Sequence, residues 1–294
     1  MSSSAGSIVV GVDGSEASRH ALEWATHQAA GEHRPLTLVS TISAVTPAWM
    51  DQAAENPREA RIQLVSEGHA LLAAARADVG GWAPDVEVHE HFELADAREV
   101  LLQLSPDAEM VVVGSRGRGP VRSLLLGSVG TALVRRAACP VVVHRPGKRG
   151  SVKHGVVVGA DALPESAAVL EFAYRQASLH RLPLTVLHCA LTNAGLAGPA
   201  YISSEPHVEI DDERRVLAEA MAGMGEKYPE VPVQVEVVRA RPQEVLVRLG
   251  ERMDLVVVGG HQRPLGGRLL LGSVSLAVVE HAACPVAVVP VHAD

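Results

Sequence analysis

A pattern of residues occurs twice in this chain, with a constant separation of 145 residues. Three segments share this separation: 124–129 with 269–274 (both Leu-Leu-Leu-Gly-Ser-Val), 111–114 with 256–259, and 137–141 with 282–286. A period of this length matches a whole domain and is too long for the repeat of a solenoid or a propeller. The chain therefore contains two copies of one domain, and differences between the copies indicate where each has kept or lost its chemistry.

The composition narrows the class of protein. The chain of 294 residues is long enough for two domains that each bury a core. Its formal net charge of −8 argues against general nucleic-acid binding, although Arg116, Arg118 and Arg122 form one locally basic spot. No apolar run approaches the roughly 20 residues of a membrane helix, and the N-terminal residues lack the features of a secretory signal. Because the three cysteines also lack the spacing of a metal site, we expect a reduced, cytoplasmic protein.

Short apolar runs alternate with segments of helical periodicity along the first copy. Val-rich runs are typical of strands that are buried on both faces, and apolar residues at helical spacing indicate the helices between them. The predicted strands are Ile8–Val12, Leu36–Val39, Val86–His89, Met110–Val113 and Val141–Val143, and the predicted helices cover residues 16–30, 58–79, 97–104 and 128–137.

The second copy repeats this order, with predicted strands at Val156–Val158, Leu184–Leu187, Val233–Val238, Leu255–Val258 and Val286–Val289. Alternating strands and helices imply parallel sheets with right-handed crossovers. The predicted fold class is therefore α/β, with two tandem doubly wound sheets of five parallel strands in the order 3-2-1-4-5. The polar stretch 147–154 is the predicted linker between a first domain at 1–146 and a second at 155–294.

Two loops of the first copy are placed to bind a ligand. In an open parallel sheet, ligands bind at the carboxyl ends of the strands, where the strand order reverses. Asp13-Gly14-Ser15 follows the first strand, and a glycine-rich loop that begins at Gly114 follows the fourth. We expect both loops to face one crevice. An ionised Asp13 has only acceptors, so it suits a ribose hydroxyl or a metal ion better than a phosphate.

The glycine-rich loop fits the pattern G-x2-G-x9-G-S through Gly114, Gly117, Gly127 and Ser128. Glycine permits a positive φ and lets backbone amides approach a phosphate closely. We expect Ser128 to cap the helix that follows, whose N-terminal end attracts anions. The pattern therefore predicts a phosphate cradle.

Glycine-rich loops also occur in α/β folds without a nucleotide, so the length of the pattern matters. It is neither a Walker A sequence nor the Rossmann fingerprint. Arg116 or Arg118 is expected to add a charge-assisted contact to a phosphate. The full pattern after a Val-rich strand, together with Asp13, favours nucleotide binding by the first copy.

The aspartate after the first strand, the glycine pattern and the Cys-Pro pair before the fifth strand resemble the universal stress protein family, twice and over nearly the whole chain. The full pattern is similar to that of the ATP-binding members. The resemblance implies an adenine nucleotide alpha hydrolase-like fold, with ATP as ligand and Mg²⁺ as its counter-ion. It implies these contacts: ribose and adenine at Asp13 and the backbone of Thr41, ribose and phosphate at Gly114 and Gly117, and the phosphates at Gly127, Ser128 and Val129.

The second copy departs from the pattern within its glycine-rich loop. The positions that match the first copy hold Asp161, Cys189, Gly259, Gly272, Ser273 and Val274. Gln262 replaces the middle glycine and brings a side chain to a point where close backbone approach is expected, and Pro264 removes an amide donor. These residues leave open whether the second copy binds nucleotide. If both copies bind, we expect the first site to be the tighter.

Three functions are compatible with these residues. One is an ATP-binding module for stress or dormancy adaptation or signalling, which the resemblance favours. The others are a slow ATPase or phosphotransferase, and a scaffold or chaperone-like protein that binds no nucleotide. The sequence has no Ser-His-Asp order, no paired-carboxylate motif and no lysine in the glycine-rich loop, so fast hydrolysis is not expected. The stress role rests on the resemblance alone.

The remaining candidates are assigned structural roles. His89 and His91 share one face of a strand but lack a third ligand, so solvated histidines are expected. The cysteines of the Cys-Pro pairs at 139–140 and 284–285 are expected to be buried apolar residues. The fifth strands are predicted to lie at sheet edges. The resemblance implies that they pair between the two halves of the chain, and a homodimer is a further hypothesis.

Overall fold

A computed structural model of the chain describes residues 5–43, 56–117, 126–145, 154–161, 166–189, 208–261, 263–265, 268–270 and 272–291. The chain divides into two units, Met1–Arg145 and Pro146–Asp294. They are called the first and the second domain below, and each is described by itself.

The first domain contains a parallel sheet with helices packed against it. Its strands are β1 (Ile8–Gly11), β2 (Leu36–Thr41), β3 (Val88–Glu93), β4 (Met110–Gly114) and β5 (Val141–His144), and its helices are α1 (Glu16–Glu32), α2 (Pro57–Trp82), α3 (Ala97–Leu104) and α4 (Ser128–Arg136). The strand order is β3-β2-β1-β4-β5, with every pair parallel. The predicted order 3-2-1-4-5 is thereby confirmed.

The second domain repeats this architecture. Its helices are α5 (Ala167–His180), α6 (Val208–Ala220), α7 (Met224–Lys227), α8 (Pro242–Leu249) and α9 (Ser273–His281), and its strands are β6 (Val156–Gly159), β7 (Leu184–Cys189), β8 (Val233–Val238), β9 (Leu255–His261), β10 (Arg263–Leu265), β11 (Arg268–Leu270) and β12 (Val286–Val291). The parallel sheet has the order β8-β7-β6-β9-β12. Strands β10 and β11 form a separate antiparallel hairpin, which the sequence did not predict.

Burial on both faces explains why the central strands are nearly all apolar. Ile8, Val9 and Val10 of β1 are fully buried, and so are Val111 and Val112 of β4. Each such side chain contributes about 1.5–3 kcal/mol when it is removed from water. Helix α1 packs against α2, and α3 packs against α4, as expected for a sheet that is covered on two faces. These two buried strands lie side by side and run in parallel, so their carboxyl ends meet.

The third strand differs from its predicted position. The sequence predicted it at Val86–His89, but β3 spans Val88–Glu93 and pairs along its whole length with β2. A contact with α2 accounts for the shift, because the ring of Phe92 packs so closely on Gly68 that a Cβ there would lie 1.9 Å from Cε2 of Phe92. The short alternating pattern at 86–89 carries no information about this long-range contact. Other predicted element ends differ by a few residues, the usual spread of such boundaries.

Two glycines of α2 give opposite expectations for stability. Gly68→Ala places a methyl group against the Phe92 ring, so it should lower the free energy of unfolding by about 1–3 kcal/mol. Gly80→Ala, with no heavy atom within 4 Å of the new Cβ, should raise it by up to about 1 kcal/mol because alanine is the better helix former. Urea unfolding followed by tryptophan fluorescence measures both, since all three tryptophans lie within the first 82 residues. Equal stability of the two variants would contradict the packing of Phe92.

Candidate functional site

A cavity in the first domain lies where the carboxyl ends of β1, β2 and β4 meet the beginning of α4. It encloses about 250 Å³. The strand order reverses at β1 and β4, which is the position at which doubly wound sheets bind ligands. The lining contains eight residues that the sequence singled out in the first domain: Asp13, Thr41, Gly114, Arg116, Gly117, Gly127, Ser128 and Val129.

The loop after β1 holds Asp13 at the edge of this cavity. Asp13 Oδ1 accepts a hydrogen bond of 2.9 Å from the amide of Ser15. Ser15 is the N-cap of α1, and its side chain accepts from the amide of Ser18 at 3.2 Å. The Ser18 hydroxyl donates to the Ser15 carbonyl at 2.9 Å. The residue that caps α1, Ser15, therefore also orients the carboxylate of Asp13.

Gly114 and Gly117 stand where there is no room for a side chain. A Cβ at Gly114 would lie 2.7 Å from the backbone carbon and oxygen of Ala17 in α1, and a Cβ at Gly117 would lie 2.4 Å from Oδ2 of Asp13. Neither residue is among the described glycines with a positive φ, so each is required here for space and not for a left-handed backbone conformation. Gly114 lets α1 approach β4, and Gly117 lets the second loop approach the aspartate.

Helix α4 begins at the predicted Ser128, but its N-cap lies one residue earlier than predicted. Gly127, with φ −71° and ψ 162°, is the N-cap, and Ser128 is the first helical residue. The reason is that the Gly127 amide donates to the Ser115 carbonyl at 3.0 Å, which turns the chain before Ser128 is reached. The prediction of Ser128 as the cap is therefore wrong, although the residue does line the cavity.

Three backbone amides at this end of α4 have no acceptor within the helix. The first intrahelical bond runs from the amide of Thr131 to the Gly127 carbonyl, at 3.0 Å. The amides of Ser128, Val129 and Gly130 precede it, and all three residues line the cavity. These amides can donate hydrogen bonds to an anion. The dipole of the helix stabilises an anion at this end by a further amount of about 0.3–1 kcal/mol.

The rest of the lining is partly apolar and partly charged. Val39, Ala97 and Leu101 form an apolar section, and Val39 and Leu101 are nearly fully buried. Arg116 also lines the cavity and is exposed. An apolar wall, a carboxylate, free amides and a guanidinium in one cavity are the groups that a nucleotide requires. Arg118 and Arg122, which the sequence also singled out, lie outside the described residues.

The matching residues of the second domain have different surroundings. Asp161 follows β6 and accepts a hydrogen bond from the Ser166 hydroxyl, while Gly272 is the N-cap of α9, and Ser273 and Val274 form its first turn. Gly259 lies inside β9, which continues to His261 instead of ending at the predicted Val258. Gln262 lies outside the described residues.

Comparison with known proteins identifies the family. The chain matches the model of the universal stress protein family over residues 5–145 and again over residues 154–290. It belongs to the universal stress protein family. A universal stress protein of Mycolicibacterium smegmatis is 32% identical over 291 residues and one of Mycobacterium tuberculosis is 35% identical over 289, with 96% of both chains covered in each case. The crystal structure of a universal stress protein from Archaeoglobus fulgidus has a TM-score of 0.65 at 17% identity, with 97% of this chain and 96% of that chain covered.

The sequence did not reveal the partners of one buried residue of this universal stress protein. His188, at the end of β7, has Nδ1 at 2.8 Å from the Ala160 carbonyl and Nε2 at 3.1 Å from Oε2 of Glu213. Glu213 is on α6, a helix that the second domain uses to cover the sheet. No local pattern links residues 25 positions apart, so this contact emerges only from the fold.

Other features of the described residues concern metals and membranes. They contain no group of three or more His, Cys, Asp or Glu side chains arranged to hold a metal ion. No helix within them combines the length and the apolar composition of a membrane span. His91 Nε2 lies 3.3 Å from Oε2 of Glu93, and His89 Nε2 lies 3.6 Å from Oε1 of Glu87. Each histidine thus lies beside the carboxylate of a glutamate two residues away in the chain.

Two thiols should be unreactive in the folded protein. Burial raises the pKa of Cys139 to about 12 and that of Cys189 to about 11. Because only the thiolate is a nucleophile, both thiols should stay protonated and resist Ellman's reagent at pH 8, whereas the urea-unfolded chain should release the colour of all three cysteines. Rapid modification of Cys139 in the native protein, mapped by mass spectrometry, would contradict its burial.

Proposed function

We propose that this universal stress protein binds ATP, with Mg²⁺, in the cavity of the first domain and acts as a nucleotide-dependent module of stress adaptation or signalling. The observation that carries the proposal is the group of free amides of Ser128, Val129 and Gly130, which line the same cavity as Asp13. Such amides supply preorganised donors for a phosphate chain. The stress role follows from the family, and the ligand follows from the chemistry of the cavity.

In this proposal the phosphate groups lie at the beginning of α4. The amides of Ser128 and Val129 donate to phosphate oxygens, and Arg116 adds a charge-assisted contact from the rim. Gly127 contributes space, because its own amide already donates to Ser115. Gly117 lets the glycine-rich loop approach Asp13, because a Cβ there would collide with the carboxylate.

The nucleoside has a matching place in the other part of the cavity. The apolar section of Val39, Ala97 and Leu101 suits the flat faces of an adenine ring, and the backbone of Thr41 at the end of β2 borders it. Asp13 suits the ribose hydroxyls, because an ionised carboxylate accepts the hydrogen bonds that hydroxyl groups donate.

A divalent cation is expected with the ligand. The carboxylate of Asp13 and a triphosphate would repel each other in one cavity, and Mg²⁺, which prefers oxygen ligands, would neutralise part of this charge. Asp13 is therefore the residue of this chain that would hold the ion, together with phosphate oxygens. The ion supplies charge neutralisation.

Slow hydrolysis or phosphoryl transfer is the alternative, since Asp13 and Arg116 both border the proposed phosphate site. Efficient transfer needs a positioned base and groups that stabilise the transferring phosphoryl, and the lining offers these only in part. Repeated turnover of ATP by the purified chain, abolished by Asp13→Asn, would favour an enzyme over a binding module.

Gly127→Ala tests the cradle directly. The new Cβ has its nearest neighbours at 3.7 Å and 3.9 Å, so the variant should fold, but its methyl group enters the space between α4 and the glycine-rich loop. There the methyl group should push a phosphate oxygen away from one of the amides of Ser128 and Val129. The loss of that charge-assisted hydrogen bond, worth about 1.5–3 kcal/mol, should weaken ATP binding about tenfold or more in calorimetry with Mg²⁺. Gly80→Ala, remote from the cavity, is the control. The proposal fails if the wild type shows no saturable binding up to millimolar ATP.

Asp13→Asn separates the role of charge from that of shape. Asparagine keeps an oxygen that can accept the Ser15 amide and so preserves the turn before α1. The gain in ATP affinity that Mg²⁺ brings should fall about tenfold, or about 1.4 kcal/mol, because the ion loses a charged ligand. Titrations with Mg²⁺ and with EDTA give this gain for each variant. An unchanged gain would assign the ion to ligands other than Asp13.

A further inference from the structure

A serine of helix α1, Ser18, is almost completely buried and borders the candidate site. It belongs to the first turn of α1, it is 3% exposed, and it lines the same cavity as Asp13. The sequence did not single it out. Because a buried hydroxyl is normally hydrogen-bonded, the partners of Ser18 indicate what the residue does.

The hydroxyl of Ser18 connects the two ends of the loop that precedes α1. It donates to the Ser15 carbonyl at 2.9 Å and accepts from the backbone amide of Asp13 at 3.4 Å. Two bonds of Ser15 complete the ring, because its amide donates to Oδ1 of Asp13 and its side chain accepts from the Ser18 amide. Asp13 is therefore held twice, by Ser15 at its carboxylate and by Ser18 at its backbone.

The residue between Asp13 and Ser15 explains why the loop needs this restraint. Gly14 has a φ of 74°, in the left-handed region that glycine enters without a steric cost. Glycine is also the residue with the greatest conformational freedom, so Gly14 alone does not fix the direction of Asp13. The hydrogen bonds that span the glycine fix that direction instead.

The second domain supports the same pairing of an aspartate with a serine. Asp161 and Ser166 have the same spacing of five residues as Asp13 and Ser18. The Ser166 hydroxyl donates to Oδ1 of Asp161, whereas the Ser18 hydroxyl contacts the backbone of its aspartate. In both domains, therefore, this serine hydroxyl is a partner of the aspartate that follows the first strand.

We propose that Ser18 is a positioning residue of the nucleotide site, whose hydroxyl fixes the loop that directs the Asp13 carboxylate towards the ribose and the magnesium ion. This inference rests on the proposed function of the cavity. Ser18 acts through Asp13 and not through the ligand, because its proton is donated to the Ser15 carbonyl and its oxygen accepts from the Asp13 amide.

Ser18→Ala removes the hydroxyl and tests this role in the full chain. Partners that orient a metal-binding group are typically worth about 10–100-fold in metal affinity, so the gain in ATP affinity that Mg²⁺ brings should fall about tenfold. Titrations with ATP in Mg²⁺ and in EDTA measure this gain. Alanine is a good helix former, so α1 should stay folded, which urea unfolding checks.

Thr26→Val is the matched control on the same helix. Thr26 is fully buried, and its hydroxyl donates to the Leu22 carbonyl at 2.8 Å, but the residue is not part of the cavity lining. Loss of this hydroxyl should leave the gain from Mg²⁺ unchanged.

A double variant separates positioning from a general effect on the fold. Substitutions that act through one group are not additive. Asp13→Asn combined with Ser18→Ala should therefore show the same gain from Mg²⁺ as Asp13→Asn alone. Ser18→Thr keeps the hydroxyl and should keep the gain of the wild type.

Several outcomes would overturn the positioning role while ATP binding stands. They are an unchanged gain in Ser18→Ala, a further fall in the double variant, a fall in Ser18→Thr equal to that in Ser18→Ala, and an unchanged gain in Asp13→Asn. Absence of saturable ATP binding by the wild type would instead overturn the proposed function of the cavity itself.

Discussion

The close approach of helix α1 to strand β4 is the constraint on which the candidate site depends. Any side chain at Gly114 would collide with the backbone of Ala17, at 2.7 Å from a Cβ. With glycine there, the first turn of α1 rests against the end of β4, and the loop that precedes α1 lies next to the loop that follows β4. Asp13 and Gly117 meet for this reason, and a bulkier residue at position 114 would separate them. The primary role of Gly114 is therefore packing of α1 on β4, and the shape of the candidate site follows from that packing.

This arrangement places groups that attract an anion and a group that repels one in the same cavity. The free amides and the dipole of α4 attract an anion, whereas Asp13 repels one, and Coulomb energies between neighbouring charges exceed the dipole contribution at the same distance. A neutral or cationic group must therefore adjoin the aspartate when a phosphate chain occupies the helix end. Ribose hydroxyls and a magnesium ion are groups of these two kinds. A simple inorganic anion would use the amides but would gain nothing from the apolar section of Val39 and Leu101.

The sequence alone was sufficient for the features that local composition determines. Val-rich runs identified the strands, and the spacing of Gly114, Gly117 and Gly127 identified the residues that converge on one cavity. It was insufficient wherever a distant contact decides the outcome. The register of β3 depends on Phe92 against Gly68, the cap of α4 depends on a bond to Ser115, and the partner of His188 in strand β7 lies on helix α6. Residue preferences describe the average environment of a residue type, and each of these cases is decided by one particular neighbour.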